Sequence, residues 1–330
     1  MNLFTKTEIG ENPVKIHHHQ KILTLGSCFA ENIGQKLAEN KFQTLCNPFG
    51  IIYNPIALSS CIERMQENNL TTTEELQLCQ DYYCHLDFHS QFNGIDKHAT
   101  LAGINEAIMS AHDFISEGID WLLVSLGTSY AYRDHASEQI VNNCHKIPAS
   151  NFERSLLSTD KMTESLLYSI KDLKTQNPEL NVILTVSPIR HIKDGLSANL
   201  RSKSRLIETA HLLTEKIQDC YYFPSYEMLI EELRDYRWYA SDLIHPNDMA
   251  IYYIWQQFEN SMIADESKVL IKKIEAIHKN LQHKAFLKDS SQYKLFLDKT
   301  EEKILQLESE NPLLDFDKEK ANLDLKRTGK

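Results

Sequence analysis

The chain has 330 residues, enough for one large domain with an appendage or for two domains. Its net charge of −11 excludes a general nucleic-acid surface, which needs clustered Lys and Arg. Seven cysteines without a paired framework, no basic-plus-apolar leader and no run of bilayer length predict a cytoplasmic protein that makes no membrane contact.

A polar leader containing His17-His18-His19 comes first and is given no role. Residues 22–25 are apolar without a helical period, which predicts a buried strand. The run ends in Gly26-Ser27-Cys28, and Ala30, Ile33 and Leu37 begin a helical pattern at once. A side chain on such a strand-to-helix turn sits over the first helical N–H groups, where a thiolate or an oxyanion is favoured. Residues 62–100 are polar and rich in Tyr, His and Gln, and are expected to leave the sheet near the site. Within them Tyr83, His85, Asp87 and His89 alternate, so on a strand they share one face. With no fourth ligand indicated, the expectation is a polar face near the site mouth, with His89 beside substrate and no metal.

Residues 121–126 and 182–186 predict two more buried strands, ending at Gly127-Thr128-Ser129 and Ser187-Pro188, and residues 221–223 a fourth. Between them Leu166, Ile170 and Leu173 share a helical face, as do Leu206, Ala210, Leu213 and Ile217. Cys144-His145 is a thiol–imidazole pair, but neighbours on extended chain point apart and do not activate each other. Arg190 follows a strand end, where it suits either a carboxylate or phosphate clamp or a surface ion pair. Arg201, Lys203 and Arg205 are expected on a solvated helix face. Trp238 and Tyr239 suit a substrate wall or ordinary packing. Asp242 and His245, three apart before a helix-like stretch, let a carboxylate orient an imidazole on one short turn.

Strands alternating with amphipathic helices predict a parallel sheet covered on both faces, with ligands at the carboxyl ends of the strands. All three turn phrases fall there. The main domain is expected over residues 15–262, followed by a charged helical extension over 263–330. In that extension Leu270, Ile274, Ile277 and Leu281 make an apolar stripe for the domain or for a second copy, which would give a homo-oligomer. The stretch after Pro312 is expected to be loosely held.

Gly26-Ser27-Cys28-Phe29-Ala30 resembles the phrase that names the GSCFA-domain proteins, a group related to the SGNH (GDSL-like) hydrolases. The resemblance extends through Asn47-Pro48-Phe49-Gly50-Ile51-Ile52-Tyr53-Asn54-Pro55, Asn143-Cys144-His145-Lys146, Ser187-Pro188-Ile189-Arg190-His191 and Ser241-Asp242-Leu243-Ile244-His245-Pro246. It implies a three-layer α/β/α, flavodoxin-like fold and ester or acyl chemistry. Where SGNH enzymes carry Gly-Asp-Ser, this chain has Gly26-Ser27-Cys28, which aligns Cys28 with the nucleophile and leaves Ser27 as the other choice. Gly50 matches the glycine that lends an oxyanion N–H. Gly127-Thr128-Ser129 stands where Gly-x-Asn is usual and offers the Ser129 hydroxyl in place of an amide. The resemblance also places Asn54, His145 and Arg190 about the substrate.

The expectation is thus a hydrolase acting on a small-molecule or glycan ester or thioester without a cofactor. Cys28 or Ser27 would attack, His245 would relay the proton and Asp242 would orient it. The alternatives are an acyl-CoA-dependent glycan acyltransferase and a catalytically silent relative that binds a glycan or a partner.

Overall fold

The computed structural model describes residues 5–10, 12–284, 286–287 and 290–328. The chain runs β1 (Lys21–Gly26), α1 (Cys28–Glu39), β2 (Gln43–Cys46), α2 (Pro55–Glu67), β3 (Gln77–Cys79), β4 (Tyr82–Cys84) and α3 (Lys97–Ser116). It continues with β5 (Trp121–Leu126), β6 (Tyr130–Asp134), β7 (Ile140–Val141), β8 (Phe152–Leu156), α4 (Thr159–Gln176), β9 (Asn181–Val186), α5 (Leu196–Lys216) and β10 (Cys220–Phe223). Short α6 (Ser225–Glu227) leads into a π-helical turn, and α7 (Asp248–Met262), α8 (Asp265–Gln282), α9 (Ser291–Glu310) and α10 (Asp317–Thr328) complete the chain.

Five strands make one parallel sheet in the order β10-β9-β5-β1-β2. Its two faces follow from the side-chain period of two. Leu23, Leu25, Leu122, Val124, Val182 and Leu184 point to the side covered by α2, α3, α4 and α5. Ile22, Trp121, Leu123 and Ile183 point to the other side, where α1 and α7 supply Phe29, Ile33, Trp255 and Phe258. The result is the three-layer α/β/α arrangement in flavodoxin-like strand order. The order in which strands are added reverses between β1 and β5, and a crevice opens at their carboxyl ends.

Two small antiparallel sheets sit outside the main one: the β3–β4 hairpin, and β7-β6-β8. Cys79 and Cys84, left unpaired in the sequence reading, are joined by a disulfide across that hairpin. β4 stops at Cys84, so His85, Asp87 and His89 lie beyond it and do not form the expected alternating face.

The apolar stripe of α8 is covered within the chain. Ile274, Ile277 and Leu281 pack with Leu297, Ile304 and Leu307 of α9 and with Leu314, Phe316 and Leu323. Residues 313–328 are therefore docked rather than loose. The Glu319 carboxylate accepts from Lys41 Nζ at 2.7 Å and meets His278 Nε2 at 3.1 Å. Among the described residues no helix is long and apolar enough to cross a membrane.

Candidate active site

β1 ends at Gly26, whose φ of +124° and contact with the Ser125 carbonyl leave no room for a Cβ. The chain then turns into α1 through Ser27. That hydroxyl accepts from Phe29 N–H at 3.1 Å and lies 2.8 Å from Ser125 Oγ, so Ser27 is a buried helix cap. Cys28 follows as the first residue of α1 and is half-buried. As the first helical residue its N–H has no partner one turn back. The helix terminus does not make the thiol acidic: burial pushes the Cys28 pKa up, only partly opposed by its own N–H, and nearby Glu31 adds to the rise. The sequence-based expectation of a thiolate at rest is corrected on that ground.

His245 is delivered by the loop before α7. Asp242 Oδ1 accepts from the N–H groups of Ile244 (2.9 Å) and His245 (3.0 Å), with Leu243 in the left-handed region at φ +58°. Asp242 Oδ2 lies 2.7 Å from His245 Nδ1. A carboxylate only accepts, so Nδ1 carries the proton and Nε2 is left as the basic nitrogen. The same bonds, led by the His245 and Ile244 backbone N–H groups and then by the ring, hold the Asp242 carboxyl down at about 2. Arg190, just after β9, fixes this loop. Its N–H donates to Ile244 O at 3.3 Å, its Nη1 reaches Leu243 O at 3.5 Å, and its guanidinium lies 4.0 Å from the Tyr239 ring centroid. Among the described residues it forms no ion pair, and the Tyr239 ring is its platform.

Cys28, Ser27, Asn54, Arg190 and His245 line one cavity of about 540 Å³ at the carboxyl ends of the strands. Asn54 shapes it from behind, capping α2 through Ala57 N–H at 2.9 Å and donating to Val141 O at 3.2 Å. Five expected site residues stand elsewhere. Gly50 N–H already donates to Asn47 O (2.7 Å), and its φ of +78° packs it against His89. Gly127 N–H donates to Tyr53 O (3.2 Å). The Ser129 hydroxyl donates to Ser202 O (3.1 Å), and its N–H to Ser202 Oγ (2.8 Å). His145 ties two loops together, with Nε2 against His85 O at 2.9 Å and Nδ1 near Asn93 Nδ2 at 3.2 Å. Burial lowers the His145 pKa, which the His85 carbonyl partly opposes. His89, beside Gly50, does not line the cavity either. Of the oxyanion donors read from the sequence, those of Gly50, Gly127 and Ser129 are thus spent on the fold itself, and the Cys28 N–H is not. Among the described residues no group of three or more His, Cys, Asp or Glu is placed to hold a metal.

The cavity is also lined by Tyr53 and His191, to which the sequence reading gave no role. Tyr53 lies close enough to Cys28 for the thiol's charge to add to burial in raising the phenol pKa. His191 is held edge-on to Tyr53, with ring centroids 5.9 Å apart. Burial, and then the positive charges of Lys203, His245 and Arg154, push its pKa down to about 3. Lys203 is the largest departure. Expected in solvent, it is 1% exposed on α5, and its Nζ donates to Gly127 O and Ser187 O, each at 2.7 Å. It thereby laces the ends of β5 and β9 beneath the cavity, and burial brings its pKa down to about 7. Nothing in one sequence distinguishes this lysine from Arg201 and Arg205 on either side. Tyr53 and His191, by contrast, lie inside phrases that carried the resemblance.

Residues 21–258 match the model of the GSCFA family, and residues 274–326 that of the GSCFA domain protein, C-terminal domain. A comparison with curated proteins finds no match. Among solved structures the chain is similar to an acetyl xylan esterase, Est2A, from the rumen bacterium Butyrivibrio proteoclasticus. Identity is 12% and the TM-score 0.39, over 74% of this chain and 65% of that one. The chain thus spans less than two thirds of that relative's length, and a likeness of this depth assigns no activity. The family match covers well over half of the sequence and contains both Cys28 and His245, and the chain belongs to the GSCFA family.

Proposed function

We propose that this protein carries out acyl chemistry in the manner of an SGNH-like hydrolase, on an ester or thioester. The observation that supports this is the convergence on one cavity of a thiol at a helix start and an imidazole whose Nδ1 is held by a carboxylate. Cys28 is preferred to Ser27 because the serine hydroxyl already caps α1 and pairs with Ser125. In the proposed step Cys28 Sγ attacks the acyl carbon while its proton passes to His245 Nε2. The tetrahedral intermediate collapses, its C–O or C–S bond breaks, and the leaving group takes that proton. Water then attacks the thioester, with His245 again as base, and regenerates the thiol. The Cys28 N–H and the Tyr53 hydroxyl are the donors we assign to the oxyanion, since Gly50, Gly127 and Ser129 are engaged elsewhere.

The test is turnover of p-nitrophenyl acetate and of an acetyl thioester by wild type, Cys28→Ala and His245→Ala. Loss in both variants with Ser27→Ala still active supports the assignment; full activity in Cys28→Ala overturns it. Transfer to a sugar hydroxyl in preference to water would make the protein an acyltransferase. Inertness on every acyl compound, together with glycan affinity, would make it a silent binder. Because burial raises the thiol pKa, iodoacetamide labelling of Cys28 is expected to keep accelerating through pH 9. A plateau near neutrality would contradict that environment.

A further inference from the structure

Beyond the reacting residues, the cavity wall carries an excess of positive charge. Arg154 on β8, Arg190 after β9, and Lys193 and Asp194 on the turn before α5 all line it. Arg154 is neutralised by pairing with Asp194, and its guanidinium lies 4.0 Å from the Tyr130 ring centroid. The other two cations have no carboxylate partner among the described residues. Lys193 Nζ meets only the Tyr132 hydroxyl, at 3.3 Å, and Arg190 meets a backbone carbonyl and the Tyr239 ring. In a chain with a net charge of −11, two uncompensated cations at the mouth of a concave site stand against the overall balance. Arg190 also braces the His245 loop, but Lys193 has no such role, and an exposed charge adds little to stability while like charges repel. Their platforms also limit the freedom they would lose on gripping a ligand. Tyr236 and Tyr239 hold Arg190, with ring centroids at 5.3 and 4.0 Å, and Tyr132 lies 5.8 Å from Lys193 Nζ. Of the five guanidinium N–H groups of Arg190, most are unspent and suit a carboxylate or phosphate fork.

We propose that the natural substrate is anionic, with a carboxylate or phosphate group that Lys193 and Arg190 bind while its acyl carbon lies at Cys28. The position of the acyl carbon rests on the function proposed above; the anion site itself does not.

Two alkylating reagents that differ mainly in charge provide the test. Cys28 labelling by iodoacetate and by iodoacetamide is followed by peptide mass spectrometry in folded and urea-unfolded protein. The iodoacetate-to-iodoacetamide rate ratio is expected to be about tenfold higher in the folded protein, to fall with added salt, and to fall below the unfolded value in Lys193→Glu. Lys193→Arg should keep the preference. Equal ratios in folded and unfolded protein, or a ratio indifferent to Lys193→Glu, would overturn the anion site. If Cys28 reacts with neither reagent, the acyl reading is the one that fails. Calorimetric titration with succinate and with inorganic phosphate then decides the anion site alone. Saturable binding weakened about tenfold by Lys193→Glu supports it, and the better ligand identifies the group. Absence of binding to both ligands, or binding unchanged by Lys193→Glu, refutes it.

Discussion

Replacing Lys203 by methionine removes an amine from the interior while keeping most of its volume. In the folded chain the group sits at 1% exposure with a pKa near 7, whereas an unfolded lysine titrates near 10.4. Between those values the unfolded chain holds a proton that the folded chain has released, so stability rises with pH. For this group the slope approaches about 1.4 kcal/mol per pH unit, which integrates to about 2 kcal/mol between pH 7 and 9. The bonds survive the loss of the proton, because a neutral amine keeps two N–H groups and the site holds two acceptors, Gly127 O and Ser187 O. Lys203→Met deletes both bonds at every pH, at a cost of roughly 2–4 kcal/mol when the neutral amine is the reference. Urea unfolding of wild type and variant at pH 7, 8 and 9 reads the difference directly. The gap is expected to widen toward pH 9, with the variant the weaker protein. Parallel pH dependences would refute the reasoning, because the lysine would then titrate alike in both states.

Three further outcomes follow from the same geometry. Asp242→Asn retains an acceptor for the Ile244 and His245 N–H groups but turns an amide toward His245 Nδ1. Turnover is expected to fall by about three to four orders of magnitude with little change in Tm, read by steady-state kinetics and a thermal melt. Ser27→Ala removes the cap of α1 and should cost about 1 kcal/mol in chemical denaturation, while Cys28 labelling persists. The Glu319 carboxyl is held at about 2 by the His278 and Lys41 hydrogen bonds and the Lys41 charge, which outweigh the opposing effect of burial. Its stabilising effect is therefore present above the ordinary carboxylate range and is lost as pH falls toward 2. Amide-exchange protection of α10 should decline over that interval and, at neutral pH, be lower by a few-fold in Lys41→Gln.

The sheet was legible in the sequence because its strands are short apolar runs whose turns announce themselves: Gly26-Ser27-Cys28, Gly127-Thr128 and Ser187-Pro188 all fall at carboxyl ends. The Asp242–His245 contact was legible because a three-residue spacing constrains both side chains to one turn. What escaped the sequence depends on long-range placement. Whether the Gly50 N–H points at a substrate or at Asn47 O is decided by a backbone turn, and residue type does not record it. The Ser129 hydroxyl is spent because Ser202, on a helix far along the chain, arrives beside it. Lys203 reads as a surface residue from composition, and only the packing of α5 against two strand ends buries it. The stripe on α8 was correctly seen as apolar, but its partners lie in α9 and beyond, where the charged sequence disguised a small core.

The hairpin-like loop around His245 has a consequence for biosynthesis. Cys28 leaves the ribosome well ahead of Asp242 and His245, which emerge only after nearly the whole α/β domain. Their loop acquires its shape by docking on Arg190, through Ile244 O, Leu243 O and the Tyr239 ring. A nascent or prematurely ended chain thus carries the thiol without its imidazole. If Cys28 is the nucleophile, its general base is in place only when the sheet behind Arg190 is complete.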